Sequence, residues 1–386
     1  MSLPKRPATL AELRESLAAG VLQEGRHLEF KRELPSNRDI ARQCAALAVQ
    51  GGVLVFGVDE SEAGLVVAPI EYAGVREKVG QIAADRSVPP IELDSSVLHS
   101  VETGEGVVWI EIPPSPHMLH QVDGTYYTRD DARTRPMSDA EVADRMELRK
   151  GRPRLLGQAL ERALRRPEPA SASLHARTCI VARPVGAAPD LLFAKTRTAD
   201  EWDDFAFELM VPTGPIVMPA PVRAWGFISH QATPEGASWG SQAIMSYRDI
   251  AFEKNGALAH LSYSRGFDRR NADTVQPWLA LQACSEVIGI IGAIHERTKE
   301  AMPWDIAMSI RGVRGHPGTS RPWSGRRPVR QRFRPTFPRD DYTEYALGVT
   351  GRRIEADRVA LVEELAGQFV LECGLDFDTE YPGRRT

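Results

Sequence analysis

The N-terminal part of the sequence places acidic side chains beside two segments that have the pattern of β-strands. Glu24 precedes the alternating segment Arg26–Lys31, Glu29 lies within it, and Asp59 follows the apolar run Val53–Val58. If these segments are neighbouring strands, one edge of a sheet can bring the carboxylates together. Converging carboxylates repel one another, and Mg²⁺ or Mn²⁺ relieves that repulsion because hard cations prefer oxygen ligands. The alternative is ordinary: acids at strand ends are usually solvated, and Asp59 is also a suitable turn residue.

A metal bound by such carboxylates would activate water and stabilise the charge that develops on a phosphodiester. Lys31 lies two residues after Glu29 and therefore points to the same face of the predicted strand. Its ammonium group would offset charge on the attacked phosphate, although a single lysine is more often a surface residue. The candidate catalytic set is thus Glu24, Glu29, Asp59 and Lys31.

The elements that would hold these residues alternate between helices and strands. The patterns predict helices over Thr9–Ala19, from Ser36 or Asn37 to Gln50, over Tyr72–Asp85 and from Ser138 to Leu148, and strands over Arg26–Lys31, Val53–Val58, Val107–Ile112 and Thr125–Arg129. Hairpins mixed with crossover helices indicate an α+β or α/β fold with a mixed sheet, and we expect the class α+β.

A change in composition predicts two domains. Residues 9–149 form the first domain, and residues 150–169, rich in Arg, Pro and Leu, form a linker that holds at most a short helix at Leu155–Leu164. Residues 170–386 form a second α+β domain. Its signals are a strand at Thr178–Ala182, a hairpin at Ala251–Tyr263 with Asn255-Gly256 as a type I′ turn, and helices at Val275–Lys299 and Glu355–Glu372. No chemistry can be assigned to this domain, and we expect a sensor, dimerisation or RNA-binding role.

The net charge of −4 shows that the whole molecule is not a polycation, so contact with nucleic acid requires a local basic patch. The 4 cysteines lack the C-x-x-C spacing of a structural zinc site. No run approaches the roughly 20 apolar residues of a membrane span, and the first residues do not resemble a signal peptide. We therefore expect a protein of the reducing cytoplasm that has no membrane partner.

Two sets of basic residues are candidates for the patch. The segment Arg311–Arg339 holds nine arginines and no acid, with aromatic residues between them. Guanidinium groups pair with phosphates and aromatic rings stack on unpaired bases, but a solvated loop has the same composition. From this segment the candidates are Arg326, Arg327 and Arg330. From the first domain they are Arg26, Lys31, Arg32, Arg129, Arg133 and Arg135, although arginines in amphipathic strands usually form the solvated face.

Other catalytic motifs find little support. His117 and His120 have a spacing that suits a metal pair, but no third ligand is near them in sequence. No glycine run is followed by the lysine and serine of a phosphate-binding loop, and no nucleophile elbow is present.

Four motifs, taken in order, resemble the Schlafen AlbA-like domain. They are Glu24-x-x-x-x-Glu29-Phe-Lys31, the pair Gly51-Gly52 followed by an apolar strand and Gly57-Val58-Asp59, the run Pro113-Pro114-Ser115-Pro116-His117, and Gly124-x-Tyr126-Tyr127-x-Arg129 before the Ser138–Val142 helix start. The resemblance covers about 140 residues, a little over a third of the chain.

In nuclease members of that family, two glutamates at this spacing and an aspartate after the glycine pair form a metal-dependent site that cleaves RNA. The resemblance therefore implies an endoribonuclease acting on structured RNA such as tRNA, as a phage-defence or stress effector, with Mg²⁺ or Mn²⁺ on Glu24, Glu29 and Asp59. The alternative is a non-catalytic regulatory protein that binds RNA or DNA. The asparagine that usually precedes the glycine pair is absent, with Gln50 in its place, and only one lobe is recognisable. A cradle around RNA would thus need a homodimer, a higher oligomer or the second domain.

Overall fold

The chain divides into two compact units, which are described separately. In the computed structural model the described residues are 3–61, 64–99, 104–165, 176–186, 191–192, 201, 204–205, 238–239, 242–253, 255–267, 273–274, 277–298, 302–316, 318 and 336–381. The first unit comprises residues 1–151 and 300–303, and the second comprises residues 152–299 and 304–386. The observed helices and strands make the fold α+β.

The first unit combines a mixed sheet with a small antiparallel sheet. Its elements are α1 (Leu10–Ala18), β1 (Leu28–Lys31), α2 (Asn37–Ala48), β2 (Gly52–Phe56), β3 (Val58–Ser61), β4 (Gly64–Val67), β5 (Ile70–Glu71), α3 (Val75–Asp85), β6 (Asp94–His99), β7 (Glu105–Ile112), β8 (Gln121–Val122), β9 (Thr125–Asp130), β10 (Arg133–Pro136) and the start of α4 (Asp139–Leu164). The larger sheet has the order β1-β2-β7-β5, with β6 also on β7, and only the β1–β2 pair is parallel.

Helices cover both faces of this sheet. Side chains of β2 alternate between the two faces, and both sets are apolar and buried. Leu54 and Phe56 point into a core that contains α2, α3 and Tyr127 of β9. Val53 and Val55 point to the opposite face, into a core built on α1. The small sheet β8–β9–β10 therefore lies on the α2 side, which fixes where its residues can reach.

Local capping signals set the helix starts as predicted. The Thr9 hydroxyl accepts from the Glu12 N–H at 3.2 Å, and Ser36 caps α2 in the same way through the N–H of Asp39. Ser138 and Glu141 form a reciprocal capping box at the start of α4, in which the Ser138 N–H donates to Glu141 Oε2 at 2.8 Å.

Three expectations about local structure were wrong. Val53–Val58 is not one strand, because Gly57 has a φ of 97° and separates β2 from β3. The helix that starts after Ser138 does not end near Leu148 but continues to Leu164, through most of the predicted linker. In the hairpin at Ala251–Tyr263 only Gly256 of the Asn255-Gly256 pair has a positive φ, whereas a type I′ turn needs two.

The second unit is an antiparallel sheet covered by helices. Its elements are the rest of α4, β11 (Ala176–Pro184), β12 (Ser238–Trp239), β13 (Gln242–Phe252), β14 (Leu258–Phe267), β15 (Asp273–Thr274), α5 (Pro277–Thr298), β16 (Trp304–Arg311), β17 (Asp341–Val349), α6 (Gly351–Ala356), α7 (Arg358–Glu372) and α8 (Phe377–Glu380). The strand order is β12-β13-β14-β11-β16-β17, with β15 on β14.

Both faces of this second sheet are packed. Leu156 and Leu160 of α4 pack on one face with Cys179, and α5 lies on the other, where Glu286 meets His260. Among the described helices, α5 alone is long and apolar enough to cross a membrane, but 67% of its most apolar window is buried within the protein. A core helix passes the same test, so this is weak evidence for a membrane span.

Candidate functional site

The candidate acids lie on or beside strand β1, which is an edge strand of the larger sheet. Strand β1 pairs with β2 on one side only, so the N–H of Phe30 points away from the sheet. Glu24 Oε1 accepts a hydrogen bond from that N–H at 2.9 Å. An edge strand leaves backbone groups without partners, and Glu24 satisfies one of them.

Glu29 is buried on the α2 side of β1 and is held by two cations. Its side chain is 7% exposed; Oε1 contacts Lys31 Nζ and Oε2 contacts Arg129 Nη2. Burying a carboxylate is costly unless it is paired and hydrogen-bonded. Here each oxygen has a positive partner, but Glu29 Oε2 and Arg129 Nη1 are buried without a hydrogen bond. Lys31 remains 32% exposed, so its ammonium group lies between Glu29 and solvent.

Arg129 lies in β9, and its side chain contacts β1 and the residues just before it. Its Nε donates to the Gly25 carbonyl at 2.8 Å, and its Nη2 donates to the Leu28 carbonyl at 3.2 Å. The residue is 4% exposed. The expectation that Arg129 lines the nucleic-acid-binding face is corrected by this burial, because its guanidinium group is bonded to Glu29 and to the backbone around β1.

Asp59 lies at the start of β3 and forms an ion pair with Arg32. Arg32 Nη1 donates to Asp59 Oδ2 at 3.0 Å, and the two side chains are 64% and 31% exposed. An ion pair this exposed is screened by solvent and is worth about 0–1 kcal/mol. Arg32 is therefore at the surface, as predicted, but its charge is partly balanced by Asp59.

The expected ligand set for Mg²⁺ or Mn²⁺ is not assembled. Within the described residues no group of three or more His, Cys, Asp and Glu side chains is arranged to hold a metal ion. Glu24 caps a backbone N–H, Glu29 is paired with two cations, and Asp59 is paired with an arginine. These carboxylates do not fit a shared metal in this arrangement, and no catalytic step through a metal follows from it.

The four sequence motifs meet around β1. His27 Nδ1 donates to the Gly51 carbonyl at 2.7 Å. Gly51 has a φ of 80°, and a Cβ on it would lie 2.7 Å from Cδ of Pro114. The N–H of Ser115 donates to the Ala48 carbonyl at 2.6 Å. The glycine pair thus lets the end of α2, the start of β1 and the proline turn approach closely, while Arg129 joins the last motif to the first.

Residues 24–138 match the family model described as Schlafen, AlbA_2. The chain contains a Schlafen AlbA-like domain. No curated protein matches the chain at the significance required. The crystal structure of the DIP2311 protein from Corynebacterium diphtheriae aligns at 15% identity over 33% of this chain and 26% of that chain, with a TM-score of 0.22. The aligned region spans about a quarter of that protein, and the score is too low to indicate a shared overall fold.

The exposed cations of the Schlafen AlbA-like domain lie near the β9–β10 hairpin. Arg26 and Arg133 are exposed and make no ion pair within the described part of the chain. Arg26 is close to the hairpin turn: a Cβ on its neighbour Gly25 would lie 3.7 Å from Asp131 Oδ1. These two residues leave positive charge available, beside the partly exposed Lys31.

Arg135, on the same hairpin, is already engaged by acids. It forms ion pairs with Asp130 and Glu141. The hydrogen bond from Arg135, followed by that from the Ser138 N–H, lowers the pKa of Glu141 to about 2. The pKa of Asp130 is lowered first by its hydrogen bond with Arg135 and also by the nearby charge of Arg26. Arg135 therefore stabilises the hairpin and the start of α4 rather than adding free charge.

The proline turn of the Schlafen AlbA-like domain is held by a buried histidine. His120 is 2% exposed; Nδ1 donates to the Pro89 carbonyl at 2.7 Å and Nε2 accepts from the Ser115 hydroxyl at 2.6 Å. Desolvation lowers the pKa of His120 to about 4 despite the bond to Pro89. Both ring nitrogens are occupied by protein groups, so His117 and His120 do not form a metal pair here.

The arginine-rich segment is described only in part. Arg326, Arg327 and Arg330 lie outside the described residues. Those described are each paired with an acid: Arg311 with Glu161, Arg314 with Asp340 and Arg339 with Glu372. Phe337, one of the interleaved aromatics, is 1% exposed and packs on Phe369. The ends of this segment are thus parts of the second unit's fold.

The connection between Glu29 and Arg129 was missed by sequence reasoning. The sequence pattern predicts Glu29 as a metal ligand and Arg129 as a phosphate contact, with no link between the two. The available signal was an arginine on a predicted strand whose neighbours, Tyr127 and Val122, have core character. A buried strand that carries an arginine needs an internal anion for it.

Proposed function

We propose that this protein binds nucleic acid through its Schlafen AlbA-like domain, with RNA as the first partner to test and DNA as the alternative. The observation that carries the proposal is the match over residues 24–138, whose motifs meet around one edge strand. That arrangement leaves Arg26, Lys31 and Arg133 at least partly exposed beside the β9–β10 hairpin.

The charges support a local contact rather than a general attraction. The whole chain carries a formal charge of −4, so a distant phosphate is not drawn to it by net charge. Exposed guanidinium groups without an acidic partner bind phosphate oxygens and release counterions on doing so. Arg133 meets that condition, and Arg26 makes no ion pair although its charge acts on nearby Asp130, whereas Arg32 and Arg135 first have to give up an acid. Arg326, Arg327 and Arg330 are proposed as further contacts from the second unit.

The test is a titration of a fluorescent RNA hairpin and of a DNA duplex of the same sequence, at several salt concentrations. We expect binding that weakens with salt, and Arg26→Ala should lower the slope of log K against log salt by about 1. Arg14→Ala is the matched control, because Arg14 is exposed on α1, on the opposite face of the sheet. No salt-dependent binding to either ligand would overturn the proposal.

The second candidate is a metal-dependent endoribonuclease of the Schlafen type that cleaves structured RNA such as tRNA, as a phage-defence or stress effector. The observation that favours it is the placement of three acids on or beside β1 within the matched region. Glu24 bonds Phe30, Glu29 lies in β1, and Asp59 pairs with Arg32 just after β1. A shared Mg²⁺ or Mn²⁺ would require these side chains to leave their present partners.

Incubation of the protein with total tRNA and Mn²⁺ tests this second candidate. Cleavage that disappears in Glu24→Gln but persists in Arg14→Ala would support the nuclease. Binding without cleavage would leave the non-catalytic function. Glu24 is the better probe, since it is only partly buried and has one hydrogen bond to lose.

Location and assembly are part of the same proposal. All four cysteines are free and buried, which is consistent with a reducing cytoplasm. A homodimer or higher oligomer would place the exposed cations of several copies, Arg26 among them, around one RNA. Light scattering of the purified protein, with and without the RNA hairpin, would show whether a dimer forms.

A further inference from the structure

We infer that Arg129 is the resident counter-ion of Glu29, in place of a divalent metal, and that this pair positions the β9–β10 hairpin on edge strand β1. The inference deepens the proposed nucleic-acid function, because the hairpin carries Arg133 and lies beside Arg26. Its first test does not depend on nucleic acid, so the two proposals can fail separately.

The charge of Glu29 is already offset by two cations. Lys31 and Arg129 contact different oxygens of the carboxylate. A divalent cation at Glu29 would stand next to two monovalent cations, and like charges this close repel one another. Arg129, whose side chain is 2% exposed, would then be left with an unpaired charge.

Arg129 also donates hydrogen bonds to backbone carbonyls at β1, as the N–H groups of a neighbouring strand would. The carbonyls of Gly25 and Leu28 face the open side of the edge strand, and Arg129 donates to both. The Nε and Nη2 atoms of Arg129 have the fixed spacing of a planar guanidinium group and reach both carbonyls and the carboxylate, whereas an ammonium group donates from a single nitrogen. Arg129 therefore fixes the hairpin by geometry as well as by charge, and it is a positioning residue rather than a phosphate contact.

Through the backbone, the position of Arg129 determines where the exposed residues Arg133 and Arg26 lie. Arg129 and Asp130 are consecutive in β9, and the backbone of Asp130 lies opposite that of Arg133 in the antiparallel hairpin. Fixing Arg129 to Gly25 thus sets the separation between Arg133 on the hairpin and Arg26, the residue after Gly25. Both exposed cations are positioned by one buried contact.

The first test compares thermal unfolding of the full chain in Mn²⁺, in Mg²⁺ and in EDTA. We expect the same midpoint in all three for the wild type, and a lower midpoint for Glu29→Gln that no metal restores. Glu147→Gln is the matched control, since it breaks an exposed ion pair with Lys150 away from the candidate acids and should barely change the midpoint. A wild-type midpoint that rises in Mn²⁺ and loses that rise in Glu29→Gln would overturn the inference.

The second test separates positioning from phosphate contact. Arg129→Lys retains the charge and the fold is expected to survive, but the single nitrogen of lysine does not reproduce the spacing of Nε and Nη2. We expect weaker binding of the RNA hairpin with an unchanged salt slope, whereas Arg26→Ala and Arg133→Ala each lower the slope by about 1. A slope that falls by about 1 in Arg129→Ala but not in Arg129→Lys would show that Arg129 contacts phosphate.

Discussion

Glu29 and Arg129 lie on strands that are not paired with each other, and their buried side chains form an ion pair that closes the open edge of β1. The pair connects the first and last motifs of the Schlafen AlbA-like domain. It also accounts for why an acidic residue inside a strand of this sheet can be buried without a metal.

Removing one member of this pair should destabilise the protein strongly. Glu29→Gln leaves the buried Arg129 charge without its anion, which costs about 3–5 kcal/mol. Arg129→Met leaves Glu29 with Lys31 alone and should cost less. The double variant should lose less than the sum of the two single variants, because the second change removes the stranded charge. Urea unfolding of the four proteins measures this coupling, and strictly additive losses would argue against the pair.

Gly51 should tolerate alanine much less well than Gly124. Both have a φ near 80°, at 80° and 78°, so both substitutions pay the same backbone penalty of about 1–2 kcal/mol. At Gly124 a Cβ meets no atom within 4 Å, but at Gly51 it meets Cδ of Pro114 at 2.7 Å. Gly51→Ala should therefore lower the melting temperature further, and equal effects would contradict the close approach to the proline turn.

The stability of the first unit should fall at acid pH because of His120. The folded protein keeps His120 neutral down to a pKa of about 4, whereas the unfolded chain takes up a proton near pH 6.5. Stability is thus retained above pH 6.5 and is lost as the pH falls towards 4, by up to about 3 kcal/mol. His120→Gln should flatten this part of the profile, and His99→Gln, at an exposed position, should leave it unchanged.

In the second unit, the pair Arg152–Asp305 should matter far more than the exposed pair Arg311–Glu161. Arg152 Nε donates to Asp305 Oδ2 at 2.7 Å, and Asp305 Oδ1 also accepts from the Gly348 N–H at 3.0 Å. These side chains are 9% and 7% exposed. Arg152→Met should cost about 3 kcal/mol or more, and Glu161→Gln less than about 1 kcal/mol, in urea unfolding. Similar losses would contradict the assignment of the buried pair.

Local features were predictable from the sequence. The helix starts at Thr9, Ser36 and Ser138 follow from side chains that bond the backbone within three residues, so no tertiary contact is needed to find them. The apolar run before Asp59 was correctly assigned to a buried strand. The end of that strand at Phe56 was not predicted, because the break at Gly57 depends on the pairing of β3 with β4.

The errors came from contacts that are distant in sequence. Pro153 suggested a boundary, but α4 continues past it because Arg152 is held by Asp305 and Leu156 is buried against the second sheet. Glu29 and Arg129 were expected to face a metal and a phosphate. Residue types and spacing could place each on its strand, but only the folded chain shows that they meet.

The most direct test of the central claim is the affinity of the wild-type protein for the RNA hairpin in EDTA and in Mn²⁺ at one salt concentration. We predict salt-dependent binding with the same dissociation constant in both solutions, because Arg26, Lys31 and Arg133 supply the charge and Glu29 is already neutralised by Arg129. Binding that appears only when Mn²⁺ is present would contradict the account.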